Sequence, residues 1–598
     1  MKFKFLAALF FMVGSAFASA QLVTPWAEKV NANNVWQEYP RPIMERQAWQ
    51  NLNGEWDYAI LPKNAAQPSD FQGKILVPFA AESTLSGVKK MVGADNELWY
   101  RRTFTIPSNW KGKDVKLNFE AVDWRCDVWV NGVKMGVHEG GYVPFSFNVT
   151  DVLKSKGENE VVVRVFDPTD AGTQPRGKQV SNPSGIWYTP VTGIWQTVWL
   201  EPVAKNHINR LKITPDVDKN VLSVNVFSEN GGVADVKVYD KGALVASGCA
   251  VAGTAMEINM PENVKLWSTE TPNLYDLTVT LTEKGKVVDE VKSYAAMRKV
   301  SIKRDNAGVM RLQLNNKDIF QFGPLDQGWW PDGLYTAPSY EAMIYDVDKT
   351  KDFGFNMIRK HIKVEPALWY SYCDKVGILV WQDMPSGDDK NSHWQMRDYF
   401  NTNEKVRSEE SENQYRKEWK EIMDHLHNYP SIVTWIPFNE AWGQFKTKEI
   451  AQWTKDYDPS RTVNPASGGN FFHGVGDILD VHNYPAPRIF LLSDSKANVI
   501  GEYGGIGYAI PDHLWQPDRN WGYIQFKSSD EVTNEYVKYV DILRDLAKIS
   551  YTGAVYTQTT DVEVEVNGLI TYDREVIKVD EAKVREANQK LIKEFSAK

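Results

Sequence analysis

Residues 431–443 read SIVTWIPFNEAWG, a strand-like run that ends in two polar residues. Ile432 to Ile436 are apolar or β-branched, which is typical of a strand buried on both faces. Asn439 and Glu440 then follow side by side where the strand ends. A carboxylate at the exit of a buried strand is costly unless it is paired or used in chemistry. The stretch therefore predicts a core strand that delivers functional groups at its exit.

Strands and helices alternate around this stretch, over the whole chain after about residue 302. Ser339 is placed to cap a helix that stops at Gly354, and Pro366 to open one that ends at Gly377. Eight strand candidates occur in about 300 residues, the size of a (β/α)8 barrel. They are DIFQFGP (318–324), FNMIRKH (355–361), ILVWQDM (378–384), IVTWIPFNE (432–440), TVNPASG (462–468), ILDVHNY (478–484), NVIGEYG (498–504) and GAVYTQTTD (553–561). A doubly wound sheet would also alternate, but no glycine-rich phosphate loop follows any strand, so the pattern favours the barrel.

The part of the chain before the barrel is β-rich. Residues 22–202 contain short strand-like runs broken by Gly, Asn, Asp and Pro, which predicts a two-sheet sandwich. EPVAKNH (201–207) is typical of a linker. The period-two alternation that follows it, over about 90 residues, fits a small immunoglobulin-like sandwich with a structural role. We therefore predict domains at 21–203, 204–300 and 301–598.

The first twenty residues have the features of a secretory signal peptide. Lys2 and Lys4 give a positive start, Phe5 to Phe17 form the apolar run, and Ala18-Ser19-Ala20 make a small-residue cleavage site. The apolar run is too short to span a bilayer and no comparable run follows, so no membrane insertion is expected. The sequence therefore predicts export to the periplasm or the outside of the cell.

Composition excludes some classes of partner and chemistry. The formal net charge of −9 and a pI near 5.7 argue against a nucleic acid partner. The three cysteines, Cys126, Cys249 and Cys373, are far apart, so they form neither a disulfide framework nor a metal-ligand spacing. The sequence does not give the oligomeric state.

Polar residues lie at the ends of most of the predicted barrel strands, where (β/α)8 proteins carry their functional groups. In chain order these candidates are Asp326, Arg359, His361, Asp383, Asn439, Glu440, His482, Tyr484 and Glu502. The two glutamates leave strands 4 and 7, on opposite sides of the barrel opening. Their side chains are therefore expected to face each other across a substrate.

Two carboxyl groups that flank a scissile bond are what glycoside hydrolysis needs. One acts as a protonated acid for the leaving oxygen, and at a separation near 5 Å the other attacks directly, with retention of configuration. Arg359 would support the nucleophile, Tyr484 would hydrogen-bond it, and Asn439 would bind the sugar hydroxyl beside the reacting carbon. The pattern thus predicts a glycosidase site.

Several stretches resemble glycoside hydrolase family 2. SIVTWIPFNEAWG is similar to the family's acid/base strand and GEYGG (501–505) to its nucleophile strand. FNMIRKH followed by ALWYSYCDKVGILV (367–380) resembles its strand 2–helix–strand 3 signature. QNLNGEW (50–56), LWYRRTF (98–104), DVWVNG (127–132) and GIWQTVWLE (193–201) resemble its N-terminal sandwich.

This resemblance implies a jelly-roll sugar-binding β-sandwich, an immunoglobulin-like β-sandwich and a C-terminal (β/α)8 TIM barrel. It implies that Glu440 is the general acid/base and Glu502 the nucleophile, with Asn439, Arg359, His361 and Tyr484 in contact with the substrate. We add Asp326, Asp383 and His482 as further candidate substrate-binding residues.

The chain departs from the family pattern in three places. Its large galactosidases carry an acidic residue and a His as magnesium ligands just past strand 3, where this chain has QDMPSGDD (382–389), so we predict no catalytic metal. Its glucuronidases carry an Asn-x-Lys motif, whereas VNGLITYDREVIK (566–578) lacks that spacing. Many relatives end strand 8 in a Trp, which Tyr556 or Gln558 replaces here.

We therefore predict an exported retaining exo-β-glycosidase that needs no cofactor and acts on oligosaccharides or polysaccharide fragments. The sequence favours β-galactosides; mannose, glucuronic acid and an arabinose-like pentose stay open as the sugar. A non-catalytic carbohydrate-binding protein on an inactive barrel is the competing class. Both carboxylates are present, which favours the enzyme.

Overall fold

Three β-rich units follow one another in the computed structural model, which describes residues 22–154, 156–388 and 404–596. The predicted signal peptide and Asp389 of the QDMPSGDD stretch lie outside these residues. The units are two antiparallel sandwiches and a parallel barrel, which confirms the predicted architecture. No helix in the described part is both long and apolar enough to cross a membrane.

The first sandwich has two antiparallel sheets of six and four strands. The larger sheet contains, in spatial order, Gly73–Val77, Gly54–Pro62, Asn96–Phe104, Asn159–Phe166, Arg125–Val130 and Val133–Glu139. The smaller contains Gln50–Asn51, Val198–Val203, Asp114–Phe119 and Phe145–Asn148, and a short pair joins Val122–Asp123 to Gly193–Ile194. Alternate residues of both sheets, such as Trp56, Leu117 and Val163, fill one shared core.

The second sandwich is also antiparallel. One sheet contains Ile208–Asp216, Val221–Ser228 and Ala255–Asn259; the other contains Ala243–Val251, Val233–Asp240, Tyr275–Glu283 and Lys286–Ala295. A small sheet of Val300–Arg304, Met310–Leu314 and Lys317–Asp318 then leads into the barrel. Arg311 donates from this sheet to the carbonyls of Ala547 and Tyr551, so the sheet lies against the amino end of the last barrel strand.

Eight parallel strands form the barrel, and each lies within the stretch predicted for it or overlaps that stretch. Strands 1 to 8 are Gln321–Asp326, Met357–Lys360, Leu379–Asp383, Ile432–Ile436, Thr462–Val463, Ile478–His482, Ala497–Gly504 and Tyr551–Thr557. Strand 1 pairs with strand 8, as closure requires. Strand 6 approaches strand 5 through the backbone bond from Asp477 N–H to the Val463 carbonyl, so the barrel is nearly closed.

The helices of the barrel cover only part of its outside. Those in the described residues are α1 (Tyr340–Asp352), α2 (Ala367–Val376), α3 (Glu409–Leu426), α4 (Thr447–Tyr457), α5 (Ser529–Ile549) and α6 (Glu581–Ser596). Ser339 caps α1 and Gly377 ends α2 in the left-handed conformation, as predicted. No α-helix follows strand 5 or strand 6 in the described segments 464–477 and 483–496. Both contain proline, and the first also contains four glycines, which disfavour helix.

Side-chain alternation along the strands decides which groups reach the site. Apolar residues including Leu325, Met357, Trp381 and Val555 fill the barrel interior. Residues two apart on a strand point to the same face. Arg359 therefore points into the barrel like Met357, but lies nearer to the carboxyl end of the strand. The interior core therefore forms a floor beneath a polar mouth.

Candidate active site

Arg359 lies at the centre of the barrel mouth and is fully buried. Its guanidinium donates to both oxygens of Asp383, at 3.1 Å and 2.9 Å. It also donates to Asn439 Oδ1 at 2.8 Å and to Glu502 Oε1 at 3.2 Å. One planar cation thus ties together predicted site residues from strands 2, 3 and 7 and from the end of strand 4.

Glu502 is held through both carboxylate oxygens. Arg359 bonds Oε1, and the hydroxyl of Tyr484 donates to Oε2 at 2.7 Å. Burial, and then the charge of Glu502, raise the pKa of Tyr484, so this phenol stays protonated and remains a donor. The direction of the Glu502 carboxylate is therefore fixed at both oxygens.

Gly501 sets the position of Glu502 in strand 7. Its N–H donates to Asp480 Oδ1 at 2.6 Å, and a Cβ at this position would lie 2.1 Å from Asp480 Oδ2. Any other residue would collide with the neighbouring strand. The glycine before the glutamate in GEYGG is thus a requirement of close packing.

Glu440 leaves strand 4 through a backbone turn that residues with side chains seldom adopt. Its φ is 47°, and that of Ala441 is 67°. The N–H of Glu440 donates to the Ser467 carbonyl at 2.8 Å, which holds the turn in place. Strain of this kind is typical of functional sites, where the surrounding structure imposes it.

A chain of contacts leads from Asp480 to Glu440. The Ser467 hydroxyl donates to Asp480 Oδ2 at 2.5 Å and lies 2.8 Å from His482 Nε2, while His482 Nδ1 lies 2.9 Å from Glu440 Oε1. His482 Nδ1 also lies 3.4 Å from Glu502 Oε2, so this ring stands between the two glutamates. His482 and Glu440 are thus close enough to share a hydrogen bond at the barrel mouth.

The two glutamates are close together. One ligand atom from each of Glu440, His482 and Glu502 lies within 4.8 Å of the other two. Carboxyl groups of retaining glycosidases are about 5–5.5 Å apart, and those of inverting enzymes about 6.5–9.5 Å. The approach of the oxygens in this site fits the shorter class.

His361 and Asp383 form a buried pair beside Arg359. Nδ1 of His361 lies 2.7 Å from Asp383 Oδ2. Burial, and then the positive charges of Lys178 and Arg359, lower the pKa of His361 well below its ordinary value, so the ring is neutral and donates to Asp383. Their predicted contact with substrate stays a prediction.

The structure does not bring Asp326 to this group. Its Oδ2 accepts from Lys360 Nζ at 2.6 Å, and its Oδ1 accepts from Gly328 N at 2.8 Å. Lys360 Nζ also lies 4.6 Å from the centroid of the Trp369 ring on α2. Asp326 therefore belongs to an ion pair on the helix side of the sheet, because its neighbour Leu325 occupies the inward position.

Two charged residues of the site were missed by the sequence analysis. Lys178 comes from the first sandwich and is only 6% exposed. Burial lowers its pKa, and the charges of Glu565, Glu502 and Glu440 oppose this shift. Glu565 follows strand 8 and is 2% exposed. The only signal for Lys178 in the sequence is the polar run RGKQ (176–179) in a loop, which does not reveal where that loop docks.

The end of strand 8 resolves the choice between Tyr556 and Gln558. Gln558 accepts from Gln327 Nε2 at 2.8 Å and donates to Asn567 Oδ1 at 2.7 Å. Tyr556 instead packs against Tyr536, with ring centroids 4.9 Å apart, on the helix side. Gln558 therefore takes the position at the mouth that the family resemblance assigns to a Trp in many relatives.

Two groups of residues in the described part are spaced closely enough to hold a metal ion. They are Glu440, His482 and Glu502, and His513, Asp573 and Glu575. The first group is the glutamate pair itself, whose oxygens are engaged by His482, Tyr484 and Arg359. The absence of a catalytic metal stays a prediction.

The chain has a barrel preceded by two β-sandwiches, and glutamates from strands 4 and 7 lie at the barrel mouth. This combination of fold and site is that of a glycoside hydrolase. Three family models match the chain in succession: the sugar binding domain (87–198), the glycosyl hydrolases family 2 model (206–298) and the TIM barrel domain of glycosyl hydrolases family 2 (312–484). The chain belongs to glycoside hydrolase family 2.

Curated relatives carry two different names. A beta-galactosidase of Thermoanaerobacter pseudethanolicus is 24% identical over 73% of this chain and 57% of its own length. A beta-glucuronidase of Formosa agariphila is 26% identical over 68% of this chain and 44% of its own. Two other Formosa proteins, 30% and 28% identical, are covered over 48% and 34% of their length. The chain thus spans about half or less of the first relatives it matches.

Solved structures share the fold. The beta-D-glucuronidase of Dictyoglomus thermophilum has a TM-score of 0.71 at 19% identity, over 92% of this chain and 98% of its own. The beta-glucuronidase of Ruminococcus gnavus has a TM-score of 0.73 at 18% identity, over 93% of this chain and 100% of its own. At this identity the likeness concerns the fold alone.

Proposed function

We propose that this protein is a retaining exo-β-glycosidase that hydrolyses terminal β-linked sugars through a covalent glycosyl-enzyme. The observation that carries the proposal is the approach of Glu440 and Glu502 within 4.8 Å at the barrel mouth. A pair so close has no room for a water molecule between the nucleophile and the anomeric carbon.

The roles of the two glutamates follow from their partners. Glu440 gives its proton to the glycosidic oxygen as that bond breaks, and Glu502 attacks the anomeric carbon from the opposite face. Arg359 and Tyr484 hold the two oxygens of Glu502 on line for this attack. Glu440 then removes a proton from water, which displaces Glu502 and releases the sugar.

A carbohydrate-binding protein without activity would not need this arrangement. A left-handed turn at Glu440 and a guanidinium shared by Asp383, Asn439 and Glu502 cost free energy that a simple binding surface avoids. These features support catalysis over binding alone. We also propose that the enzyme acts after export, in the periplasm or outside the cell, because residues 1–20 have the features of a signal peptide.

We propose a β-galactoside as the substrate, with a β-glucuronide as the second candidate and a mannoside or an arabinose-like pentoside as further alternatives. The sequence favours β-galactosides, since the Asn-x-Lys motif that captures a uronate in the family's glucuronidases is missing. The names of relatives support β-glucuronides about as well, because both names occur among them.

The test is hydrolysis of a panel of 4-nitrophenyl β-glycosides, followed by proton NMR of the first-formed sugar. Two displacements at one carbon restore its configuration, so the β anomer must appear before mutarotation mixes the two forms. An initial α anomer from a β-linked substrate would exclude Glu502 as a nucleophile. A Glu440→Gln/Glu502→Gln double variant with unchanged rates would place the activity elsewhere.

A further inference from the structure

A loop of the first sandwich forms part of the barrel mouth. The N–H groups of Arg176 and Gly177 lie 3.4 Å and 3.0 Å from the Ser386 carbonyl, which follows strand 3. Gly177 has a φ of 65°, and a Cβ on it would lie 2.7 Å from the carbonyl of Ile362, beyond strand 2. The backbone before Lys178 is therefore docked tightly between the ends of two barrel strands.

Lys178 is only 6% exposed, and its ammonium lies over the ring of Tyr188. In residues 22–154, 156–388 and 404–596, no carboxylate oxygen lies within 4.0 Å of Lys178 Nζ, and Nζ donates no hydrogen bond. The neighbouring buried lysines differ, because Lys360 and Lys363 bond Glu365 at 2.8 Å and 2.9 Å. The N–H groups of this ammonium can therefore donate to a ligand at the barrel mouth.

Glu565 supplies acceptors on the same side of the mouth. Its Oε2 accepts from the Tyr188 hydroxyl at 2.5 Å and its Oε1 from Asn567 Nδ2 at 2.9 Å. Each carboxylate oxygen has a second lone pair for a further donor. Lys178 Nζ lies 5.7 Å from the centroid of the Tyr188 ring, so the donor and the acceptor flank the same tyrosine.

The local charge favours hydroxyl groups over a substrate carboxylate. The carboxylates that act on Lys178 are those of Glu565, Glu502 and Glu440, in that order, while burial lowers the pKa of this lysine. Arg359 is already engaged by Asp383, Asn439 and Glu502. A uronate would therefore add a negative charge beside three carboxylates, and of the described cations Arg359 and Lys178, Lys178 is the one left to balance that charge.

We propose that Lys178 and Glu565 form a donor–acceptor pair that binds hydroxyl groups of a neutral sugar next to Glu502. Lys178 donates to one hydroxyl oxygen, and Glu565 accepts a hydroxyl hydrogen. The first sandwich thereby supplies a specificity-determining residue to the barrel. This inference rests on the proposed glycosidase function and selects neutral glycosides within it.

The experiment compares Lys178→Met, Lys178→Gln and Glu565→Gln with the full-length enzyme. Substrates are 4-nitrophenyl β-galactoside and β-glucoside, their 2-, 3-, 4- and 6-deoxy forms, and the β-glucuronide. Lys111→Met is the matched control, because Lys111 is exposed on the same sandwich. Circular dichroism and thermal melting establish that each variant is folded; if Lys178→Met is not, Lys178→Gln serves in its place.

We expect the unmodified enzyme to prefer a neutral glycoside to the glucuronide. A site that hydrogen-bonds a hydroxyl rejects the deoxy substrate by roughly 10²-fold or more in kcat/KM. In Lys178→Met the loss in kcat/KM should fall to roughly 3-fold for the substrate deoxygenated at one ring position and stay large for the others. Glu565→Gln should likewise lose discrimination at a single ring position. Lys111→Met should keep the unmodified pattern.

Three results would overturn the inference. One is a preference for the glucuronide that Lys178→Met abolishes, because Lys178 would then bind a carboxylate. Another is an equal loss on all deoxy substrates, which would make Lys178 a structural residue. The third, no hydrolysis of any glycoside by the folded, unmodified protein, would instead overturn the proposed function on which the inference rests.

Discussion

The hydroxyl of Tyr484 donates a hydrogen bond of 2.7 Å to Oε2 of Glu502. The same hydroxyl lies 2.7 Å from Thr557 Oγ1, so its direction is fixed from strand 8 as well. In the proposed glycosyl-enzyme the carboxylate of Glu502 would be an ester and would carry less charge. The hydrogen bond from Tyr484 would then weaken on attack and be restored when Glu502 leaves.

Tyr484→Phe removes this bond and keeps the ring. A hydrogen bond to a charged group contributes about 1.5–3 kcal/mol, so kcat/KM should fall about 10- to 100-fold. The release of the glycosyl-enzyme should slow most, because the departing carboxylate loses its donor. Tyr372→Phe is the control, because the Tyr372 hydroxyl donates a hydrogen bond of 2.7 Å to Asp348 and takes no part in the barrel mouth. Equal losses in both variants would remove Tyr484 from the mechanism.

Glu502→Gln should lower turnover by several powers of ten and leave substrate binding largely intact. The amide keeps the shape of the side chain but cannot attack the anomeric carbon. Added azide should not restore the rate in this variant, whereas Glu502→Gly leaves space for the anion and should form the α-glycosyl azide. Mass spectrometry and NMR of the product make the measurement. Near-normal turnover of Glu502→Gln would be incompatible with nucleophilic catalysis by this residue.

Glu440→Ala should separate substrates by their leaving group. A dinitrophenyl glycoside needs no acid, so it should still form the glycosyl-enzyme and then stall because no base activates water. A disaccharide has a poor leaving group and should scarcely react. Burst kinetics on both substrates test this difference. An equal loss on the two would argue against the acid/base role.

Glu120→Gln should change the pH dependence of stability. Glu120 is buried between the first sandwich and α2, where its Oε1 accepts from Ala367 N–H at 3.0 Å, and burial raises its pKa to about 8. The raised value means that stability from the protonated form is fully present below the unfolded pKa of about 4.5 and is lost as pH rises through about 8. Glutamine has no proton to lose. The variant should thus gain stability relative to the unmodified protein between pH 5 and pH 8.5.

Thermal melting at both pH values measures this gain. The control is Glu28→Gln, because Glu28 is exposed on the same part of the chain. A difference between Glu120→Gln and the unmodified protein that is the same at pH 5 and pH 8.5 would show that Glu120 does not titrate in this range.

The barrel and its glutamate pair were predictable because of a local rule. A parallel strand buried on both faces reads as a continuous apolar run, so a polar residue at its end stands out, as with Glu440 and Glu502. The order of strands then places these ends on one mouth. The lack of an α-helix in the described segments 464–477 and 483–496 also has a local cause, namely the prolines in both and the glycines in the first.

Other parts of the site depend on registers and contacts that no local pattern contains. Asp326 lies only one residue after an inward leucine, and that single step turns its side chain to Lys360 on the helix side. Lys178 and Glu565 are separated by about two thirds of the length of the chain. Only the docking of the first sandwich on the barrel brings their charges together.

The tight seat of Gly177 on the carbonyl of Ile362 has a consequence for how this protein can be altered. Exchanging the barrel alone between relatives would carry over the reacting glutamates but leave behind the loop that completes the pocket. A chimera joined near residue 300, between the second sandwich and the barrel, therefore combines two halves of one binding surface from different proteins. Residues on both sides of that joint determine the sugar preference. Recombination there is therefore expected to produce folded proteins whose binding pockets are mismatched.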